Sequence, residues 1–205
     1  MQTEFLFVRH AESTANAGGA AGSAADPPLT ERGRAQAGAL CADLAGHDLR
    51  ALYTSDTARA RATIAPLERR TGLRRTELAA LDEWNLGRGG RADADGVRDL
   101  LARWGAGDVD ARLPTAPYSE TLRALHARVL PACRAVLERH GASGGTIIVV
   151  AHGGALSWGL PALVDNVSFA YGARHYLGNA RSVAVTVEGG TIRATRWNDA
   201  VIATV

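Results

Sequence analysis

Residues 146–151, T-I-I-V-V-A, run without a polar alternation, so a strand formed here needs apolar cover on both faces. That requirement puts it near the centre of a parallel sheet with helices above and below. Residues 4–8 (E-F-L-F-V) form a second run of this kind, and residues 51–54 and 74–78 read as shorter strands. Helices are predicted over 30–44 with Thr30 as N-cap, over 56–70 with Asp56 as cap, and over 96–104, 119–140 and 155–164. In the long one Leu122, Leu125, Val129, Leu130, Cys133, Val136 and Leu137 recur at helical spacing, with Pro131 a candidate kink. Segments 16–28, 81–91 and 105–118 read as loops. Strands over 182–187 and 191–197 close a hairpin on Glu188-Gly189-Gly190. Strands alternating with helices imply an α/β fold, a single-domain three-layer α/β/α sandwich with a mostly parallel central sheet over 1–205.

Composition narrows the function classes. At 205 residues, 46% apolar, 21% charged and a mean hydropathy of -0.07, the chain has the make-up of a soluble globular domain. No apolar stretch nears the roughly 18 residues of a membrane span, and the start lacks a basic region or cleavage pattern, so a cytoplasmic protein is expected. Cys41 and Cys133 are read as reduced thiols. All 23 basic residues are arginine, against 21 acidic ones. A spread net charge of +2 gives no reason to expect nucleic acid or an anionic membrane as partner. The absence of lysine excludes Schiff-base, P-loop and kinase-type lysine chemistry.

Ligands in open α/β sheets bind beyond the carboxyl ends of the strands. Arg9-His10, the segment from Ser55 to Arg59, and His152-Gly153 all follow predicted strands. Together they offer two imidazoles and two guanidiniums, a set suited to a phosphoryl group, because the guanidinium fork matches phosphate oxygens and keeps its charge.

Five ordered blocks then resemble one family. Phe5-Leu6-Phe7-Val8-Arg9-His10-Ala11-Glu12-Ser13 with Asn16, Leu29-Thr30-Glu31-Arg32-Gly33 with Gln36-Ala37, and Tyr53-Thr54-Ser55-Asp56 with Arg59-Ala60 and Thr63 are similar to segments of the histidine phosphatase superfamily. So are residues 149–154, around His152, and 179–185. The resemblance, to the phosphoglycerate mutase-like branch, implies that His10 is the nucleophile. Arg9, Arg59 and His152 would clamp the phosphoryl oxygens, with Asn16 and Gly153 adding phosphate contacts. Glu83 aligns with the family's general acid, and Asp82 is the alternative. Flanking guanidiniums would keep His10 neutral for attack. His152-Gly153, in place of a His-Asp pair, points to the branch whose acid lies near Glu83.

The reading that follows is a phosphatase acting on a small phosphorylated metabolite, with no metal and no cofactor. Phosphoglycerate mutase is the nearest alternative, disfavoured because 205 residues is short for a mutase, and a non-catalytic phosphate-binding module is another. A small substrate-facing insertion is expected at about 82–118. Within it Trp84, Arg88, Arg91, Arg98, Trp104 and Tyr118 are candidates for contacting the rest of the substrate. A homodimer is left open. Gly141-Ala142-Ser143-Gly144-Gly145 matches the nucleophile-elbow pattern of serine hydrolases but precedes a strand where an elbow follows one, so it reads as a loop. Of the other histidines, His175 lies nearest the late strands.

Overall fold

A computed structural model describes residues 2–18, 26–87 and 92–203. In chain order the elements are β1 (Thr3–Arg9), α1 (Thr14–Ala17), α2 (Glu31–Asp43), β2 (Leu49–Thr54), α3 (Ala58–Thr71), β3 (Arg75–Glu77), α4 (Ala94–Gly105), α5 (Leu122–His140), β4 (Gly145–Ala151), α6 (Gly153–Gly159), α7 (Phe169–Arg174), β5 (Ser182–Glu188), β6 (Thr191–Trp197) and β7 (Ala200–Val201). Short 3-10 turns follow β3 and α6.

The strands form one sheet in the order β3-β2-β4-β1-β5-β6-β7. The first four run parallel, and β5, β6 and β7 extend the sheet by antiparallel pairing. β4 lies between β2 and β1, as its unbroken apolar run demands. Alternation along the strands divides the core into two layers. Phe5, Phe7, Ile147, Val149, Val183 and Val185 share a core cluster with residues of α4, α5 and α6. Leu6, Val8, Ile148, Val150 and Ala184 point the other way, onto Ala60, Ile64 and Leu67 of α3. This is the α/β/α sandwich expected.

The differences are local. Thr57, not Asp56, caps α3, its side chain accepting from the Ala60 N–H. Asp56 lies instead near enough to Asp82 to raise its carboxyl pKa. The long helix starts at Leu122 because Thr121 accepts from the Ala124 N–H and caps it. The helix expected over 155–164 begins at Gly153 and tightens into a 3-10 turn at Leu160–Ala162, where Pro161 lacks the N–H that would continue it. α1 runs into the loop read over 16–28, and α7 lies in a stretch to which no element is assigned from sequence. Both cysteines are free, and burial pushes the Cys133 thiol up to about 12. No helix among the described residues is long and apolar enough to cross a membrane.

Candidate active site

Register brings the polar clusters to one level. Val8 pairs with Val150, which also pairs with Thr54, so β1, β4 and β2 end side by side. The His10 N–H donates to the Ala151 carbonyl at 2.9 Å and the Ser55 N–H to the Val150 carbonyl at 3.0 Å, holding the residues just past the strands against the sheet. Below them the Thr63 hydroxyl accepts from the Ala11 N–H at 2.9 Å and donates to the Arg59 carbonyl at 2.8 Å, tying the loop after β1 to α3.

His10 is 2% exposed. Its Nδ1 lies 2.7 Å from the Ala11 carbonyl oxygen, which can only accept. Nδ1 therefore carries the ring proton and Nε2 the lone pair. Burial, assisted by the charges of Arg59 and Arg9 and opposed by the bond to Ala11, pushes the imidazole down to about 3. The ring is neutral at physiological pH with one nitrogen ready to form a bond. His152, fully buried, stands edge-on to it at 5.1 Å between centroids. Arg59 Nη2 donates to His152 Nδ1 at 3.2 Å, so the proton sits on Nε2 and is given to the Ser55 hydroxyl at 2.7 Å. Burial and then the neighbouring cationic groups hold His152 well below the usual histidine range.

The guanidiniums are anchored rather than free to swing. Arg9 Nη1 donates to the Leu177 carbonyl at 2.9 Å, its guanidinium carbon lies 5.2 Å from the centre of the Tyr176 ring, and its buried Nε has no acceptor. Arg59, 7% exposed, reaches Asp26 at 3.3 Å. Asn16 closes the far side. Its side-chain oxygen accepts from the Ser13 N–H and from Asn179 Nδ2, each at 3.1 Å, leaving its amide NH₂ as a donor. Asn179 also donates to the His10 carbonyl at 3.0 Å. An unpartnered Nε and a ring of fixed donors around a neutral imidazole make an anion receptor with a nucleophile inside it.

Glu83 is held by backbone. Its carboxylate accepts from the N–H groups of Trp84 at 2.8 Å, Ala155 at 3.0 Å and Gly154 at 3.2 Å, the last two in the opening turn of α6, which Gly153 begins. Arg128 of α5 braces the loop below. It donates to the carbonyls of Ala80, Asp82 and Glu83 at 2.9, 2.7 and 3.0 Å and grips Glu120 with both faces of its fork, at 2.6 and 2.8 Å. Asp82 lies alongside, Oδ1 3.9 Å from His152 Nε2. Burial, then repulsion from and hydrogen bonding with Asp56, push its carboxyl up to about 6 against the pull of Arg128 and Arg59.

Arg9, His10, Asn16, Arg59, Glu83, His152 and Gly153 thus converge. Among the described residues read as substrate contacts in 82–118, none joins this cluster. Trp84 and Trp104, 3% and 2% exposed, pack edge-to-face with each other and with Trp158, and their indole N–H groups bond the carbonyls of Glu120 and Ala111. They are core, because a large apolar ring in a short segment is most stable under the adjoining helices. Arg98 pairs with Asp95 on the surface, Tyr118 is exposed, and Arg88 and Arg91 lie outside the described residues. His175 packs on Tyr171. Ser55, Arg128, Tyr176 and Asn179 were not singled out from sequence, though Ser55 and Asn179 stand in the quoted blocks.

The profile of the histidine phosphatase superfamily (branch 1) matches residues 5–200, and the chain belongs to that family. It is an enzyme family, and among its sequence relatives a 2,3-bisphosphoglycerate-dependent phosphoglycerate mutase from Methylobacterium radiotolerans is 32% identical over 164 residues, 76% of each chain. Equal coverage on both sides removes chain length as an argument against a mutase. Among solved structures, YhfR of Bacillus stearothermophilus aligns with a TM-score of 0.79 at 26% identity, covering 97% of this chain and 98% of its own. A mycobacterial glucosyl-3-phosphoglycerate phosphatase aligns at 0.78 and 26%, covering 98% of this chain and 100% of its own.

Proposed function

We propose that the chain is a metal-independent phosphomonoesterase that hydrolyses a small phosphorylated metabolite through a phosphohistidine at His10. The observation that carries this reading is the His10 ring itself: Nδ1 bonded to a backbone carbonyl, Nε2 unprotonated, and two guanidiniums beside it. In the first step Nε2 bonds to phosphorus as the bond to the leaving oxygen breaks, and Glu83 gives that oxygen a proton. In the second, Glu83 takes a proton from water, which bonds to phosphorus as the phosphorus–nitrogen bond breaks. Arg9 and Arg59 supply positive charge and donors around the transferring group, where stabilisation is chiefly electrostatic, and neutral His152 contributes its single N–H by turning it from the Ser55 hydroxyl to a phosphoryl oxygen. Asn16 and the Gly153 backbone complete the cradle.

Alkaline quenching after labelled substrate should trap an acid-labile phosphoenzyme that His10→Ala lacks, and an acid-stable adduct would overturn the mechanism. Glu83→Gln should slow alkyl phosphates far more than p-nitrophenyl phosphate, whose leaving group needs no proton. The raised carboxyl of Asp82 favours a second acid, and if Asp82→Asn showed that selectivity instead, the roles would be exchanged. The 32% identity to a mutase favours phosphoglycerate interconversion as the alternative activity. Phosphate release without isomer exchange from 3-phosphoglycerate separates the two.

A further inference from the structure

Tyr176 lies between α7 and β5 with its phenol end pressed on the backbone of Gly153. A Cβ at that glycine would lie 2.2 Å from the Tyr176 hydroxyl, and at the next residue, Gly154, a Cβ would lie 2.6 Å from Glu83 Oε1. The adjacent glycines after His152 therefore seat a phenol and a carboxylate side by side, where any larger residue would displace one of them. One face of the same ring carries the Arg9 guanidinium, and Trp158 packs against it at 6.0 Å. The ring is not sealed off: Tyr176 is 42% exposed, and its hydroxyl makes no hydrogen bond among the described residues. Burial of the hydroxyl end, followed by the charge of Glu83, raises its pKa, so at neutral pH it is a donor.

A donor with no acceptor among the described residues thus lies between the proposed acid and a proposed phosphate clamp, close to where a leaving oxygen protonated by Glu83 would stand. We propose that the Tyr176 hydroxyl donates a hydrogen bond to the leaving-group oxygen as its bond to phosphorus breaks. This rests on the phosphatase reading above. The electron pair of the breaking bond goes to the leaving oxygen, Glu83 delivers the proton, and Tyr176 keeps its own. The ring face meanwhile supports Arg9, so the residue has two separable parts.

Tyr176→Phe removes the hydroxyl and keeps the ring, whereas Tyr176→Leu removes both. With wild type as reference, kcat/KM is measured over a series of aryl and alkyl phosphates, together with inhibition by inorganic phosphate. Tyr176→Phe should lose about tenfold or more on alkyl esters, a typical effect for one donor at a developing oxyanion being larger still. It should change p-nitrophenyl phosphate less than about twofold and leave phosphate inhibition as it is. Tyr176→Leu should in addition weaken phosphate inhibition, through Arg9. Equal losses across the series, or none, with wild type turning over through a trapped phosphoenzyme, would overturn this assignment alone. A wild type without turnover would overturn the phosphatase reading and the assignment together.

Discussion

Gly154→Ala tests the proposed position of Glu83 without altering a titratable group. The added Cβ would lie 2.6 Å from Glu83 Oε1 and 2.8 Å from Cζ3 of Trp158, against ordinary contacts of 3.4 Å and beyond. Trp158 cannot retreat, since Trp84, Trp104 and Tyr176 pack around it. The carboxylate must yield, by about 0.8 Å, and in doing so it strains its bonds to the Gly154 and Ala155 N–H groups. Displacement of a reacting group by about 1 Å can cost on the order of 10²-fold in rate. The expected result is a loss of that order in kcat/KM on an alkyl phosphate and a much smaller loss on p-nitrophenyl phosphate. Overpacking should also cost about 1–3 kcal/mol, a fall in Tm of about 2–10 °C. A variant that is overpacked by calorimetry yet loses equally on both esters would refute the argument that this glycine exists to admit the acid.

Three further outcomes follow from the same geometry. Arg128→Ala should destabilise by about 2–4 kcal/mol, because it leaves Glu120 and three carbonyls without their donor in a half-buried site, and Glu120→Leu in the same chain should restore part of the loss in a thermal melt. Arg59→Lys keeps the charge but loses the planar fork that reaches His152 Nδ1 and Asp26 together, and should lower kcat/KM by about tenfold or more with little change in Tm. Between pH 6.5 and about 3 the unfolded chain binds a proton that folded His10 refuses, so this residue makes stability fall as pH falls, by at most about 1.4 kcal/mol per unit. Asp82 acts oppositely, its contribution being lost as pH rises toward about 6. Denaturant melts across pH should show a flatter acid slope for His10→Gln and a steeper one for Asp82→Asn, and unchanged slopes in both would refute the burial argument.

What the sequence disclosed depends on the range over which each pattern is written. The two-sided run of β4 and the residues following β1, β2 and β4 are contiguous, so their places at the sheet's carboxyl edge could be read directly. α1 and α7, at four and six residues, are too short for a helical period to appear. Asp56 and Thr57 are both competent caps; Thr57 takes the position, and Asp56 lies near Asp82, which is remote in sequence. The same is true of the site. Arg128 acts on the Glu83 loop from 45 residues away, and Asn179 on His10 from 169 residues away. Trp84 and Trp104 read as substrate contacts because the rings that bury them, each other's and that of Trp158, come from three separate segments of the chain.

The sheet order also bears on self-association. One rim ends in β3, three residues long, and the other in β7, two residues long. Edge strands this short offer few unpaired amides and carbonyls to an incoming strand, and β3 is further guarded by Arg75 and Glu77, engaged with Glu68 and Arg61. Growth of the sheet into a second copy, whether as a continuous dimer interface or as a fibril seed, is therefore disfavoured at both rims. A symmetric pair of these chains is expected to meet through helices or loops rather than by extending the sheet.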